Sequence, residues 1–412
     1  MDALDFVRRL WVLMLTVLVD MMGFLIVLPL LPFYAERLGA SPFEVGALVS
    51  SFALAQLATA PLWGRLSDRY GRRPMILAGT LISAIAYVLF ESADAVWLLY
   101  FSRLVQGAGA GTVGVVQAYL SDSVPEEERA KALGWLTAAS SAGVMIGPAI
   151  ASLSAGLGLI GPGYLAAGLC GLNFVFALTL LPESSSREHR PERKQTRGAT
   201  RRAVLQILTR PAGPTGAPIW IYAFGMMAFM AMNGVLALYL ERRFGVTEAT
   251  IGWLYVYVGG VSLIMRTLVL GPAVRRFGEV GALRLGALSM AVALASLPLA
   301  ATIWQLALAA LFMPVGTALL FPSTTSQTSR NAPRGQTGLL LGVQQLFGGV
   351  ARMVGPLWSG AIFQHLGIRA PFFVAAGLML AVRLYAEVLD SAPGGGREAA
   401  IAEESMAPTE PS

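Results

Sequence analysis

Apolar residues fall in twelve runs along the chain, at about residues 10–32, 43–63, 74–92, 95–120, 131–155, 160–181, 217–240, 249–270, 281–301, 303–326, 337–363 and 371–389. Each is close to the roughly 20 residues that a helix needs to cross the hydrocarbon core of a bilayer. The pattern predicts twelve membrane-spanning helices. None is read as a strand, because in lipid every backbone group must find its partner within its own helix. Two polar stretches stand out. "PESSSREHRPERKQTRGATRR" follows the sixth run; it is basic and carries Pro and Ser, so it reads as a linker between six spans and six. "SAPGGGREAAIAEESMAPTEPS" has no apolar period and is expected to be disordered. The chain thus divides into a six-helix half at 1–182, a linker at 183–215, a second six-helix half at 216–390 and a tail at 391–412. The first run is long and has no small-residue cleavage site before the second, so it is expected to remain as a span.

The halves repeat each other. "PEEERAKALGWLTAASSAGVMIGP" (125–148) lies over "PRGQTGLLLGVQQLFGGVARMVGP" (333–356) at an offset of 208, which sets Pro125, Gly134, Gly147 and Pro148 on Pro333, Gly342, Gly355 and Pro356. "GRLSDRYG" (64–71) lies over "GPAVRRFG" (271–278) at an offset of 207. Two parallel six-span repeats predict an all-α transporter whose binding site lies between the halves near the midplane.

Composition agrees with this pattern: 55% of the 412 residues are hydrophobic and 13% charged, against about 25% charged in soluble domains. The net charge of +6 is not a nucleic-acid footprint. With the N-terminus placed in the cytoplasm, 22 Lys and Arg fall on that side and only Arg37, Arg242, Arg243 and Arg369 on the other. The positive-inside rule then predicts both termini in the cytoplasm, in the cell (inner) membrane. A single Cys170 excludes a disulfide within the chain, and His189 and His365 lie far apart, so no metal site or cofactor is expected. "GAGAG" (107–111) lies inside a span and lacks the Lys-Ser/Thr of a phosphate loop. No enzyme constellation and no nucleotide fold remain, so energy should come from an ion gradient.

Several short motifs carry candidate chemistry. In "GRLSDRYGRRP" (64–74), Gly64 and Gly71 permit close approach of backbone and helices, and Asp68 with the neighbouring arginines can form a charge lock across a short loop. This segment resembles the loop signature of the major facilitator superfamily, Gly-x-Leu-x-Asp-Arg-x-Gly-Arg-Arg, through Gly64, Leu66, Asp68, Arg69, Gly71, Arg72 and Arg73. By span count and repeat the resemblance covers essentially the whole chain. It implies that Asp68 meets the start of span eleven, near Gly335–Gly338, in one conformation, and that Arg72 pairs with Asp122 of "YLSD" at the end of span four.

"RLVQGAGAG" (103–111) resembles the span-four motif of proton-driven members. Arg103 lies about eight residues inside its span, or roughly 12 Å at the helical rise. An arginine there is costly and is a functional candidate; the alternative is snorkelling to the outer surface. "GVMIGPAIAS" (143–152) resembles the span-five antiporter motif through Gly143, Gly147 and Pro148, with Ala151 and Ser152 where glycines are usual. Small-x-x-x-small spacing also serves helix packing alone. Asp20 sits mid-way along span one, in "TVLVDMMGFLIVLPLLP", whose pattern Asp20-x-x-Gly23 with Pro29 and Pro32 resembles drug:proton antiporters of the tetracycline-efflux type. Burial favours the neutral form of a carboxylate, so a group that alternates between occlusion and wetting can carry a proton. The alternative is a structural Asp bonded to a neighbouring helix.

Gln106, Asn233, Gln344 and Arg352 are the further candidates for contacting substrate, with Arg352 mid-way along span eleven and able to bind an anionic group. The resemblance implies a monomeric twelve-helix protein that uses protons to export small amphiphilic compounds by alternating access. A proton-coupled or facilitative carrier of an anionic metabolite is the other reading, favoured by Arg103 and Arg352. Span nine carries no acid, where tetracycline transporters usually have one, so tetracycline itself is not assigned.

Overall fold

The computed structural model describes residues 3–124, 126–156, 161–183, 196–333, 335–387 and 389. Pro125 of the repeat, most of the basic linker and the tail from 390 lie outside these residues.

The first half begins with α1 (Ala3–Val27), which stops just before Pro29, where a ring in place of an N–H cannot continue the ladder. A short helix, α2 (Leu31–Arg37), completes the first apolar run. Ser41 then caps α3 (Pro42–Tyr70) in a reciprocal pairing with Glu44. After α4 (Arg72–Glu91), the fourth span comes in two pieces, α5 (Val96–Gly109) and α6 (Thr112–Ser123). The break has a visible cause. Trp63 of α3 donates its indole N–H to the Ala108 carbonyl at 2.5 Å, and its ring occupies the space that a side chain on Gly111 would need. Helices α7 (Glu126–Gly156) and α8 (Pro162–Leu180) close this half.

Within the linker the structure has a helix that its polar composition concealed, α9 (Thr196–Thr209). Ala203 and Ile207 on one of its faces are buried against Ile219, Leu340 and Val343 of the second half. That half comprises α10 (Gly216–Phe244), α11 (Glu248–Ile264), α12 (Leu270–Ser296), α13 (Ile303–Arg330), α14 (Thr337–Leu366) and α15 (Ala370–Tyr385). A single π-helical turn, Met265–Val269, joins α11 to α12, and the chain reverses at Gly278 inside α12 (φ 69°). Among the described residues nine helical stretches are long and apolar enough to cross a membrane on their own. One of them, Glu248–Leu299, holds two spans, and the interrupted α5–α6 and the 16-residue α15 supply the rest of the twelve.

The repeat is visible in the packing. Within the halves α1 lies along α7 and α10 along α14; between the halves α3 lies along α14 and α11 along α7. The two inter-half seams are equivalent: Gly46 of α3 sits directly against the Pro356 carbonyl, and Gly252 of α11 directly against the Pro148 carbonyl. The two repeat glycines at the loop turns both have positive φ, Gly71 at 108° and Gly278 at 69°, a backbone region that glycine enters freely.

Candidate functional site in the central cavity

The halves enclose two joined chambers of about 420 and 570 Å³. Both are lined by Ala53, Gln56, Ala110, Val113, Gln345 and Arg352, so they form one passage. The deeper chamber reaches Asp20, Arg103 and Gln106; the wider one ends at Gly64, Asp68 and Arg72, on the face that carries the linker. Exposed residues of both halves, among them Ala60, Gly64, Gly342 and Gln345, line that mouth.

The opposite face is tied shut across the halves. Arg37 pairs with Glu248, Arg242 with Glu36 (2.6 Å), and the Phe43 amide donates to Gln364 (3.3 Å). Gly360 of α14 sits 2.6 Å from the Pro42 carbonyl, measured from where its Cβ would be. Ser152 adds a bridge of its own. Its hydroxyl accepts from the Gly252 amide (2.7 Å) and donates to the Glu248 carbonyl (3.0 Å). The residue that departs from the antiporter motif therefore makes two hydrogen bonds between α7 and α11. The motif residues Gly143 and Gly147 let α7 lie against α1, with side-chain positions facing the Leu18 and Met22 carbonyls on either side of Asp20. Pro148 supplies the carbonyl that Gly252 meets.

Asp20 is half-buried on the wall of the deeper chamber. Among the described residues no hydrogen bond or ion pair holds its carboxylate, so the structural alternative, an Asp bonded to a neighbouring helix, finds no partner here. Arg103 does not pair with it. Arg103 is 1% exposed, donates to Gln106, and lies over the rings of Phe52 (5.9 Å) and Phe90 (5.7 Å). Its Nε is buried without a partner among the described residues. Gln106 in turn donates to the Tyr87 hydroxyl (2.7 Å). Burial to this depth excludes snorkelling. Tyr87 lies against α1 at Gly23, one turn from Asp20, where a Cβ would come within 2.7 Å of the phenol oxygen.

The second half presents a chemically similar set. Arg352 lies near Tyr222, and Gln345 donates to the Tyr222 hydroxyl at 3.5 Å. The structure separates this set from two of the sequence-named candidates. Gln344 is fully buried and donates to Thr325 on α13 (3.0 Å), away from both chambers. Helical phase explains the difference: 345 and 352 are two turns apart on one face, while 344 is turned about 100° from it. Asn233 donates to the Phe229 carbonyl (2.8 Å) and faces Tyr255 of α11, joining helices rather than lining the cavity. Met230 of α10 lines the deeper chamber.

At the linker face Arg72 gathers the loop. It is bonded to Asp68 (2.8 Å), Asp122 (3.0 Å) and Ser67 (2.6 Å). Arg73 donates to the Leu178 carbonyl (2.6 Å), and Arg69 lies over the Tyr70 ring (5.4 Å). Sequence reasoning missed Glu183, whose carboxylate accepts from the Arg72 amide (2.9 Å) and so caps α4 beside Gly71. The close approach expected at Gly64 is not made in this conformation, since a side chain there would meet nothing within 4 Å. Gly64 and Gly342 of α14 instead both line the open mouth.

Comparison with known proteins agrees with this architecture. The model of the Major Facilitator Superfamily matches residues 13–300 and 219–408. Multidrug resistance protein 2 of Bacillus subtilis is 28% identical over 375 residues, which are 90% of this chain and 92% of that protein. The class G tetracycline resistance protein of Vibrio anguillarum is 30% identical over 358 residues, covering 85% and 89%. Among solved structures, the human organic anion transporter MFSD10 superposes with a TM-score of 0.69 at 22% identity, over 94% of this chain and all of that one.

Proposed function

The chain belongs to the major facilitator superfamily of membrane transporters, and from that premise we propose that it is a proton-coupled exporter of small amphiphilic compounds working by alternating access. The observation that carries this reading is Asp20: a carboxylate with no partner among the described residues, on the wall of an otherwise largely apolar cavity that opens at one face. Such a group is free to hold a proton in one state and a cationic ligand in the other. The positive-inside count puts the open, linker-bearing face and both termini in the cytoplasm, so the conformation described is the one that receives cargo from inside. Phe24, Phe52, Val49 and Met230 supply the apolar wall that an amphiphile needs, and 420 Å³ lies within the range of small-molecule sites. On this reading Asp68, held by Arg72 here, moves to the start of α14 when the cytoplasmic mouth closes, a charge–dipole contact worth about 0.3–1 kcal/mol.

A second reading has its own observation. Arg103 and Arg352 both reach the cavity and among the described residues neither has an acidic partner, which favours a carrier of an anionic metabolite. The test is uptake of ethidium, a small amphiphilic cation, into inverted vesicles with and without an imposed proton gradient. Gradient-driven accumulation is expected, lost in Asp20→Asn while downhill exchange persists. Accumulation by Asp20→Asn against a gradient would remove Asp20 from the proton path, and uptake indifferent to the gradient would favour the carrier.

A further inference from the structure

The cavity holds an apparent contradiction between its charges. Proton antiport at Asp20 requires that substrate and proton compete, so the group that meets Asp20 must be cationic. The same chamber is walled by two guanidinium groups that would repel a simple cation. If Asp20 is ionised, the three charges sum to +1; if it is protonated, to +2. A purely anionic substrate would therefore bind best with Asp20 protonated. Proton and substrate would then travel together, which is symport and not exchange. A purely cationic one would compete with the proton but leave Arg352 facing it across a space of low dielectric.

Resting on the exporter reading, we propose that the substrates of this site are zwitterionic amphiphiles, with the cationic group at Asp20 and the anionic group at Arg352 and Gln345. Arg103 is committed elsewhere: it is bonded to Gln106 and stacked on Phe52 and Phe90, nine-tenths or more buried. Arg352 is more open and stands on the other half of the molecule, beside two neutral hydrogen-bonding side chains. A planar guanidinium with an adjacent amide suits a carboxylate, which accepts several hydrogen bonds at once. The two ends of one ligand are thereby held by different halves, Asp20 on α1 and Arg352 on α14. In each cycle the ligand's ammonium displaces one proton from Asp20 to the cytoplasm, and on the other side a proton displaces the ammonium; one positive charge enters per zwitterion leaving. The titratable or charged groups near Asp20 are Tyr87 of α4, Arg103 of α5, Cys170 of α8 and Arg352 of α14; among the described residues of α3 and α7 that line the chamber or pack on this part of α1, none is titratable.

The experiment uses three compounds on one apolar scaffold at about pH 6: 2-naphthylalanine, its methyl ester and its N-acetyl derivative, which are zwitterion, cation and anion below the ester ammonium's pKa of about 7. Binding to the purified full-length protein is measured by calorimetry, and proton release by a pH indicator in weak buffer. The zwitterion should bind tightest. Zwitterion and ester should each release protons, and the N-acetyl compound none. Arg352→Gln should weaken the zwitterion roughly 10- to 100-fold, the range for a lost hydrogen bond to a charged group, and leave the ester no weaker. Arg352→Lys should fall between. The ester doubles as the folding control, because its binding reports an intact Asp20 side of the cavity. Equal loss of zwitterion and ester in Arg352→Gln, or proton release by the N-acetyl compound, overturns the inference while leaving gradient-driven export of the ester as support for the exporter reading. If none of the three binds and no gradient drives the ester, the exporter reading falls and takes this inference with it.

Discussion

Replacing Ser152 by Ala probes the seam that holds the opposite face closed. The side chain is 1% exposed and makes two hydrogen bonds across the halves, to the Gly252 amide and the Glu248 carbonyl. Two such bonds are worth about 1–3 kcal/mol net, and orphaning their buried partners would ordinarily cost as much again. Here no orphans arise. Gly252 N–H and Glu248 C=O are the two ends of one i→i−4 step at the start of α11, so the helix keeps both satisfied when the hydroxyl that shares them is lost. The loss is then only that of the two shared bonds across the seam, about 1 kcal/mol, which multiplies the population of the state open at this face roughly fivefold. Gly252→Ala should do more. Its methyl would press on the Pro148 carbonyl, backbone against backbone, so neither partner can turn aside and α7 and α11 must part. Overpacking of this kind costs about 1–3 kcal/mol, or roughly five- to 150-fold in population. Gly260→Ala, on the same helix with nothing within 4 Å, is the neutral control.

The assay is labelling by a membrane-impermeant maleimide applied to the opposite face, with Val49→Cys in the deeper chamber as target and Cys170→Ser as background. The labelling rate should rise in the order of the three populations. Labelling of Ala60→Cys at the linker-face mouth should barely change while the starting state stays in the majority. An unchanged rate in Ser152→Ala with a raised one in Gly252→Ala would mean that the hydroxyl is idle. Unchanged rates in both would refute the claim that this seam closes the face.

Two further outcomes are expected. Arg72→Gln strips Asp122 of a partly buried partner and should cost about 1–3 kcal/mol, read as a lower thermal midpoint; Asp122→Asn should lower it too, and the double variant should be less damaged than the sum, whereas additive losses would show that the two do not act as a pair. Gly23→Ala should push the Tyr87 phenol off α1, break its bond from Gln106 and slow transport roughly fivefold for about 1 kcal/mol, with the protein still monodisperse; transport equal to that of Gly168→Ala, where nothing lies within 4 Å, would deny the Tyr87 contact any role.

The spans and their division into halves were legible because lipid imposes a length and a composition that no other solvent does, and the repeat was legible because glycine and proline recur where two backbones meet. What stayed hidden was hidden for physical reasons. The break between α5 and α6 is imposed by Trp63 from another helix, and a sequence read one span at a time cannot show it. The helix α9 has only Ala203 and Ile207 to bury, too short an apolar stripe to stand out from its arginines. Asp20 and Arg103 sit at similar depth, but depth does not set direction: Arg103 turns to Gln106 and two aromatic rings. Gln344 was named and its neighbour Gln345 was not, although the seven-residue step from Gln345 to Arg352 puts those two on one face. Ser152 looked like a blemish in a glycine motif, and only the partner helix reveals what the hydroxyl does.

The repeat also says which residues are scaffold and which are chemistry. Scaffold positions obey it. Gly71 and Gly278 make the same turn, and Pro148 and Pro356 offer the same carbonyl to a glycine of the other half. Even the loop ion pair returns with its signs exchanged, Arg72 to Asp122 in one half and Glu279 to Arg330 (3.3 Å) in the other, since either polarity ties the same two helix ends together. The cavity charges do not obey it. At either offset the counterpart of Asp20 is Met227 or Ala228, that of Arg103 is Ala310 or Leu311, and that of Arg352 is Met145 or Val144, all apolar. On the alternating-access reading, rocking needs two matched halves, because each seam must close as the other face opens. Matched charges would defeat binding, because a site with the same group on both sides has no direction along which to orient a ligand. Departure from the repeat gives the chamber a carboxylate on one half and an open guanidinium on the other, and so an axis running between the two halves.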